Sequence, residues 1–291
     1  MKAVVKLGLV VAGGFGVAVF AAYLAGSTLI EPNQHIVGPP PASIGGVSVR
    51  IERKGAPAIA GWYRRVGDAE CAVLLAHGLR ADRRQMLGRA EFLIAAGYSV
   101  LLIDLQAHGE SLGKHIGFGL IEASDIVDAV KFLKEDHSSV GVIGFSLGGA
   151  AAVLAADKLE ADALVVEAVF TDIRKATANR LQTRLGGVGS ALSSALLWQL
   201  EPRTGIPVSA VAPIEAVADV RAPLLVIAGE ADRRTTLADS QALFDRANQP
   251  KAFWAVPGAA HENYHVHSQV EYERRVLNFF SQYLVGCEVA P

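Results

Sequence analysis

Between residues 47 and 284 the chain alternates short apolar runs with segments of helical spacing. Residues 47–53 and 58–65 alternate partly between apolar and polar side chains, as antiparallel edge strands do. The runs at 72–76, 99–105, 140–145, 163–170, 223–228 and 252–256 are almost continuously apolar, the mark of strands buried on both faces. Between them, residues 83–96 place Met86, Ala90, Leu93 and Ile94 at helical spacing. Residues 121–133 place Ile126, Ala129, Val130 and Leu133 on one face. A helix of small residues starts at Leu147, and further helices are predicted at 237–247 and 269–284. This alternation predicts an α/β fold, a mostly parallel sheet with helices on both faces. No repeat of 20–50 residues is visible. One stretch, about 171–221, lacks any buried strand run and holds the Gly186-Gly187-Val188-Gly189 break with Pro202, Pro207 and Pro213. Inserted there it falls at the carboxyl edge of the sheet, where open α/β folds bind ligands, and it reads as a small cap.

The pattern is different at the N-terminus. Lys2 and Lys6 precede 24 residues, 7–30, that carry no charge; 17 of them are apolar and five are Gly. As a helix this stretch reaches roughly 36 Å, enough to cross a hydrocarbon core of about 30 Å. It is expected to be an uncleaved membrane anchor, residues 1–30. The alternative is a secretory signal, for which Val19-Phe20-Ala21 is a poor cleavage site. No Lys or Arg follows the stretch until Arg50, so the positive-inside rule puts the rest of the chain outside the cytoplasm. Gly14-Phe15-Gly16 does not make a dinucleotide loop, because Val19 stands where the third Gly belongs and no strand precedes it. Residues 31–46, with Pro32, Pro39, Pro40 and Pro41, read as an extended spacer, which leaves 47–291 as one catalytic domain.

Composition narrows the picture. Of 291 residues, 51% are hydrophobic and 19% charged, which excludes a disordered chain. A net charge of −2 provides no basic excess for a nucleic-acid partner. Two cysteines, Cys71 and Cys287, exclude a disulfide-built framework, and nothing in the sequence says whether they meet.

The chemistry centres on Gly144-Phe145-Ser146-Leu147-Gly148, which matches G-x-S-x-G between an apolar run and a helix. Flanking glycines allow the tight turn that lifts a serine hydroxyl above a sheet. His77-Gly78-Leu79 closes an earlier strand, so the amides of Leu79 and Leu147 are candidate donors to an oxyanion, with His77 structural. A serine needs a base, and the base needs an orienting acid. Asp232 follows one strand and His261 the next, giving the chain order Ser146, Asp232, His261. Glu230 is the alternative acid. His261, His265 and His267 are not expected to bind metal, since no recognisable zinc spacing accompanies them; His265 and His267 read as exposed helix-start residues. Asp104 is expected to hold its loop together, with no chemistry at His108. Arg83 and Arg84 read as solvated helix-start charges, the alternatives being a loop brace or an anion contact.

These motifs, together with Asp104 through Ser111, resemble the α/β-hydrolase superfamily over about residues 47–284. The chain looks most like the membrane-anchored serine hydrolases of the α/β-hydrolase-domain-containing group and their bacterial relatives. The resemblance implies an eight-stranded sheet with its second strand antiparallel. It also implies Ser-Asp-His hydrolysis without a cofactor. Gln106-Ala107-His108-Gly109 departs from the Arg-Gly-His-Gly or Arg-Gly-Gly-Gly of many relatives. The expected activity is cleavage of an ester or thioester in a small-molecule or lipid-like acyl substrate. Peptidase or acyltransferase activity on the same fold, and a non-catalytic anchored binding protein, are the alternatives.

Overall fold

The computed structural model describes residues 23–287, apart from the side chains at 188, 190 and 191. Most of the apolar N-terminal stretch, residues 7–22, therefore lies outside the described residues. Its end, residues 23–30, is helical (α1), and among the described residues no helix is long and apolar enough to cross a membrane.

The strands are β1 (Asn33–Gln34), β2 (Val47–Ile51), β3 (Ile59–Arg64), β4 (Cys71–Ala76), β5 (Ser99–Ile103), β6 (His108–Gly109), β7 (Ser139–Phe145), β8 (Ala163–Glu167), β9 (Leu224–Gly229) and β10 (Lys251–Val256). The helices after α1 are α2 (Leu87–Ala95), α3 (Ala123–Lys134), α4 (Leu147–Leu154), α5 (Ile173–Leu185), α6 (Gly187–Leu197), α7 (Leu200–Thr204), α8 (Pro213–Ala216), α9 (Leu237–Arg246), α10 (Tyr264–His267) and α11 (Gln269–Tyr283). Eight strands form one sheet in the order β10-β9-β8-β7-β4-β5-β3-β2. Only β3 runs against its neighbours β2 and β5; every other pairing in that sheet is parallel.

Every residue of β4, β5, β7, β8 and β9 is buried, as their unbroken apolar runs require. Alternate side chains feed two cores. Leu74, Leu101, Val142 and Val166 pack with Ile126 and Val130 of α3 and with α4 on one face. Val73, Val100, Ile143 and Val165 pack with Leu93 of α2 and with Val276 and Phe280 of α11 on the other. The centre of the sheet is thus covered on both faces, while the edge strands β2 and β10 stay partly exposed. The Cys71 and Cys287 sulfurs are joined in a disulfide, with Cα atoms 5.6 Å apart, that ties the segment beyond α11 to the first residue of β4.

Residues 31–46, expected as an extended spacer, lie along the domain. Asn33 and Gln34 pair in parallel with His108 and Gly109, and Glu110 accepts from the amides of Val37 and Gly38. Trp62 Nε1 donates to the Gly38 carbonyl. Prolines remove donors and stiffen the chain, but the amides of Asn33, His35, Val37 and Gly38 find acceptors on the domain, so the stretch stays attached.

Candidate active site

The loops at the carboxyl ends of β4, β7, β9 and β10 converge at one edge of the sheet. Ser146 sits between β7 and α4 with φ 50° and ψ −104°. A non-glycine residue at such a positive φ is strained by about 1–3 kcal/mol, so its surroundings must hold it there. They do so at both ends. Its amide donates to the Glu167 carbonyl at 2.7 Å, and that of Gly148 to the His77 carbonyl at 3.0 Å. The glycines are steric necessities, since a Cβ at Gly144 would come within 2.5 Å of the Gly149 nitrogen and one at Gly148 within 2.5 Å of the Ala76 oxygen.

His261, beyond β10, donates through Nδ1 to Asp232 Oδ2 at 2.8 Å. With the carboxylate opposite, Nδ1 carries the proton and Nε2 is left as a base. Asp232 is buried and heavily coordinated. Thr235 Oγ1 donates to it at 2.6 Å, Tyr264 at 3.3 Å, and the amides of Arg234 and Thr235 at 2.7 and 3.0 Å. Burial alone would raise its pKa, but the bonds from His261 and Thr235 prevail and hold the carboxyl below its usual range. Glu230 is exposed and reaches only the Gly258 amide. Thr235 and Tyr264 were not legible as part of the site, since neither lies in a motif.

Ser146, His261, Leu79 and Leu147 share the wall of one cavity of about 140 Å³. No hydrogen bond joins Ser146 Oγ to His261, and the amides of Leu79 and Leu147 donate to no group among the described residues. Beside these, Thr177, Thr235 and the arginines Arg180, Arg184 and Arg234 line it, and the rest of the wall is apolar. Ile173 and Leu181 of α5, Leu196 and Leu197 of α6, and Phe118 line it, and Leu29 of α1 reaches it from the N-terminal stretch. Helices α5 to α8 all fall between β8 and β9, and α5 and α6 cover this edge.

The remaining candidates are placed as follows. His77 is buried, its pKa pushed down to about 4 by burial, and it binds the Gly78 carbonyl and the Leu105 amide, a structural role. His108 packs against it with ring centroids 5.1 Å apart. Asp104 does hold its loop, accepting from the amides of Arg83 and Glu110 at 2.8 Å each. Arg83 is not a solvated charge. It is fully buried, 2.7 Å from Asp104 and 2.5 Å from Glu110, because the α2 side of the loop folds inward over Trp62. Arg84 is exposed on Asp82. His265 is not exposed either. It stacks on Phe92 and bonds Glu273 at 2.8 Å, whereas His267 bonds the Pro257 carbonyl. The three histidines therefore engage separate partners, and among the described residues no group of three or more His, Cys, Asp or Glu is arranged to hold a metal ion.

Sequence reading missed the support beneath Ser146. Arg89 of α2 is fully buried and bonds Glu167 through Nε at 2.8 Å and Nη2 at 2.5 Å. Tyr272 of α11 donates to the same carboxylate at 2.6 Å. The only hint was a Glu closing an apolar strand run.

Comparison with known proteins fits this architecture. Residues 73–275 match the alpha/beta hydrolase family. An uncharacterized protein of Mycobacterium tuberculosis is 30% identical over 224 residues, 75% of this chain and 73% of the relative. The uncharacterized protein YqkD of Bacillus subtilis is 23% identical over 227 residues, 76% and 74% of the two chains. Among solved structures, the Pyrococcus furiosus esterase Pf2001 superposes with a TM-score of 0.75 at 23% identity, covering 88% of this chain and 98% of that one. A dienelactone hydrolase from Anabaena variabilis superposes at 0.60 and 21% identity, covering 82% and 98%. The matched region takes in the serine elbow and the loops that carry Leu79, Asp232 and His261: this chain belongs to the alpha/beta hydrolase family.

Proposed function

We propose that this protein is a serine hydrolase that cleaves an ester or thioester through an acyl-enzyme. The observation that carries the reading is an Asp232-bound imidazole and a strained, glycine-flanked Ser146 on the wall of one cavity. Ser146 Oγ attacks the acyl carbonyl while His261 Nε2 takes its proton. The amides of Leu79 and Leu147 stabilise the oxyanion. The intermediate collapses, the leaving group departs with the proton from His261, and water repeats the sequence on the acyl-serine. Asp232 keeps the imidazole in the right tautomer and stabilises its charged form. The apolar wall suits a hydrocarbon acyl chain. The test is covalent. A fluorophosphonate probe labels the wild-type protein and leaves Ser146→Ala unlabelled; equal labelling of both removes Ser146 from the mechanism.

We infer further that the charge-free N-terminal stretch, whose last residues 23–30 pack on the domain, tethers it to a membrane, with the domain outside the cytoplasm. The charge-free stretch behind Lys2 and Lys6 supports the orientation, and a disulfide suits an oxidising compartment. A reporter active only outside the cytoplasm, fused after Ile30, is expected to be active; activity confined to a cytoplasmic reporter reverses the topology.

A further inference from the structure

Arginines withdrawn from solvent in this domain are matched by other groups. Arg53 lies 2.6 Å from Asp125, Arg83 2.7 Å from Asp104 and Arg89 2.5 Å from Glu167, while Arg203 sits over the Tyr23 ring. Arg180 breaks the pattern. It is half-buried in the cavity wall, and the charges felt there are all positive: Arg184, Arg234 and Arg80. Burial and these neighbours together push its guanidinium pKa down. Arg180 and Arg184 are one turn apart on α5, on the same side of the helix, and Arg234 comes from the loop just past Asp232. All three line the cavity that holds Ser146, and none of its lining residues is Asp or Glu.

Arg184 and Arg234 are exposed, and like charges gathered around the half-buried Arg180 guanidinium cost free energy unless an anion joins them. Resting on the hydrolase reading, we propose that Arg180, Arg184 and Arg234 bind an anionic group of the substrate, the hydrocarbon chain lying against Leu181, Leu196 and Leu29. Guanidinium groups suit phosphate, which they hold through paired hydrogen bonds. The substrate class is then an acyl ester or thioester whose leaving group bears a phosphate. That chemistry is shared by a lysophospholipid headgroup and by an acyl thioester of a phosphorylated carrier.

The experiment uses the full chain in neutral detergent and two matched pairs: decanoyl-glycerol 3-phosphate against monodecanoyl-glycerol, and decanoyl-coenzyme A against decanoyl-pantetheine. The expected result is a kcat/KM about tenfold higher or more for the phosphorylated member of one pair, and that pair identifies the source. The Arg180→Gln/Arg234→Gln double variant is expected to cut that preference about tenfold, mainly through KM. Arg180→Lys/Arg234→Lys is expected to restore part of it, and Arg246→Gln, at a distant pair with Glu215, to leave it unchanged. Fluorophosphonate labelling of each variant confirms that the site is folded. A wild-type ratio near one in both pairs, or a ratio unchanged in the glutamine double variant, overturns the proposal. If Ser146 is labelled in that case, the hydrolase reading survives; if it is not, both fail.

Discussion

Ser146→Ala and His261→Ala are each expected to lower kcat by about 10⁴–10⁶-fold on any ester the wild type turns over, with KM little changed. In a serine hydrolase the nucleophile and its base act as one unit, so on the proposed mechanism the Ser146→Ala/His261→Ala double variant should be no worse than either single one. Asp232→Asn should cost about 10⁴-fold. Its carboxylate holds Nδ1–H of His261, and an amide in its place can present a donor there and reverse the tautomer. The controls come from the same loops. Glu230→Gln changes an exposed carboxylate bonded only to the Gly258 amide, so turnover should stay within about twofold. His265→Ala breaks a contact with Glu273 on the far side of α10 and should reduce stability rather than kcat. Steady-state kinetics with a chromogenic short-chain ester checks the whole set. A His265→Ala loss exceeding that of His261→Ala would mean that the base is misassigned.

The second large effect lies beneath the serine. Glu167→Gln strips the fully buried Arg89 of its counter-charge and should destabilise the fold by about 3–5 kcal/mol. Removing both charges, as in Arg89→Met/Glu167→Gln, should cost less than either single change, because no unpaired ion is left inside. Denaturant midpoints at constant m-value measure both. If the double variant is as unstable as the sum of the singles, the pair is not coupled. Activity should fall alongside stability. The Glu167 carbonyl is the acceptor for the Ser146 amide, so movement of this residue relaxes the elbow and should lower kcat more than it raises KM.

What could be read from the residues was whatever repeats locally. β4, β5, β7, β8 and β9 were visible because both faces are buried and no polar side chain interrupts them. The loops that carry Ser146 and Asp232 were visible because each follows such a run, and that of His261 because it follows the apolar residues of β10, whose edge position leaves it only partly buried. The error at the end of β8 has a backbone cause. The apolar run continues to Phe170, but Ala168 adopts φ 51° and the strand stops at Glu167. Pairings across the chain left no local trace. Arg89 and Glu167 are 78 residues apart, and Arg180 meets Arg234 only when α5 folds over the β9 loop. His265 looked solvent-facing because its partners, Phe92 and Glu273, belong to other elements. Residues 31–46 had the composition of a linker, and only the acceptors on the β6 loop reveal that they are docked.

The bond between Cys71 and Cys287 closes the domain into a covalent ring. All three of Ser146, Asp232 and His261 lie inside it, as does the whole cap, while α1 and β1 to β3 lie outside. A protease that cuts the exposed Gly186-Gly187 junction between α5 and α6 would therefore open the ring without dividing the molecule. The serine on one fragment and its acid and base on the other would stay leashed together until a reductant cut the link.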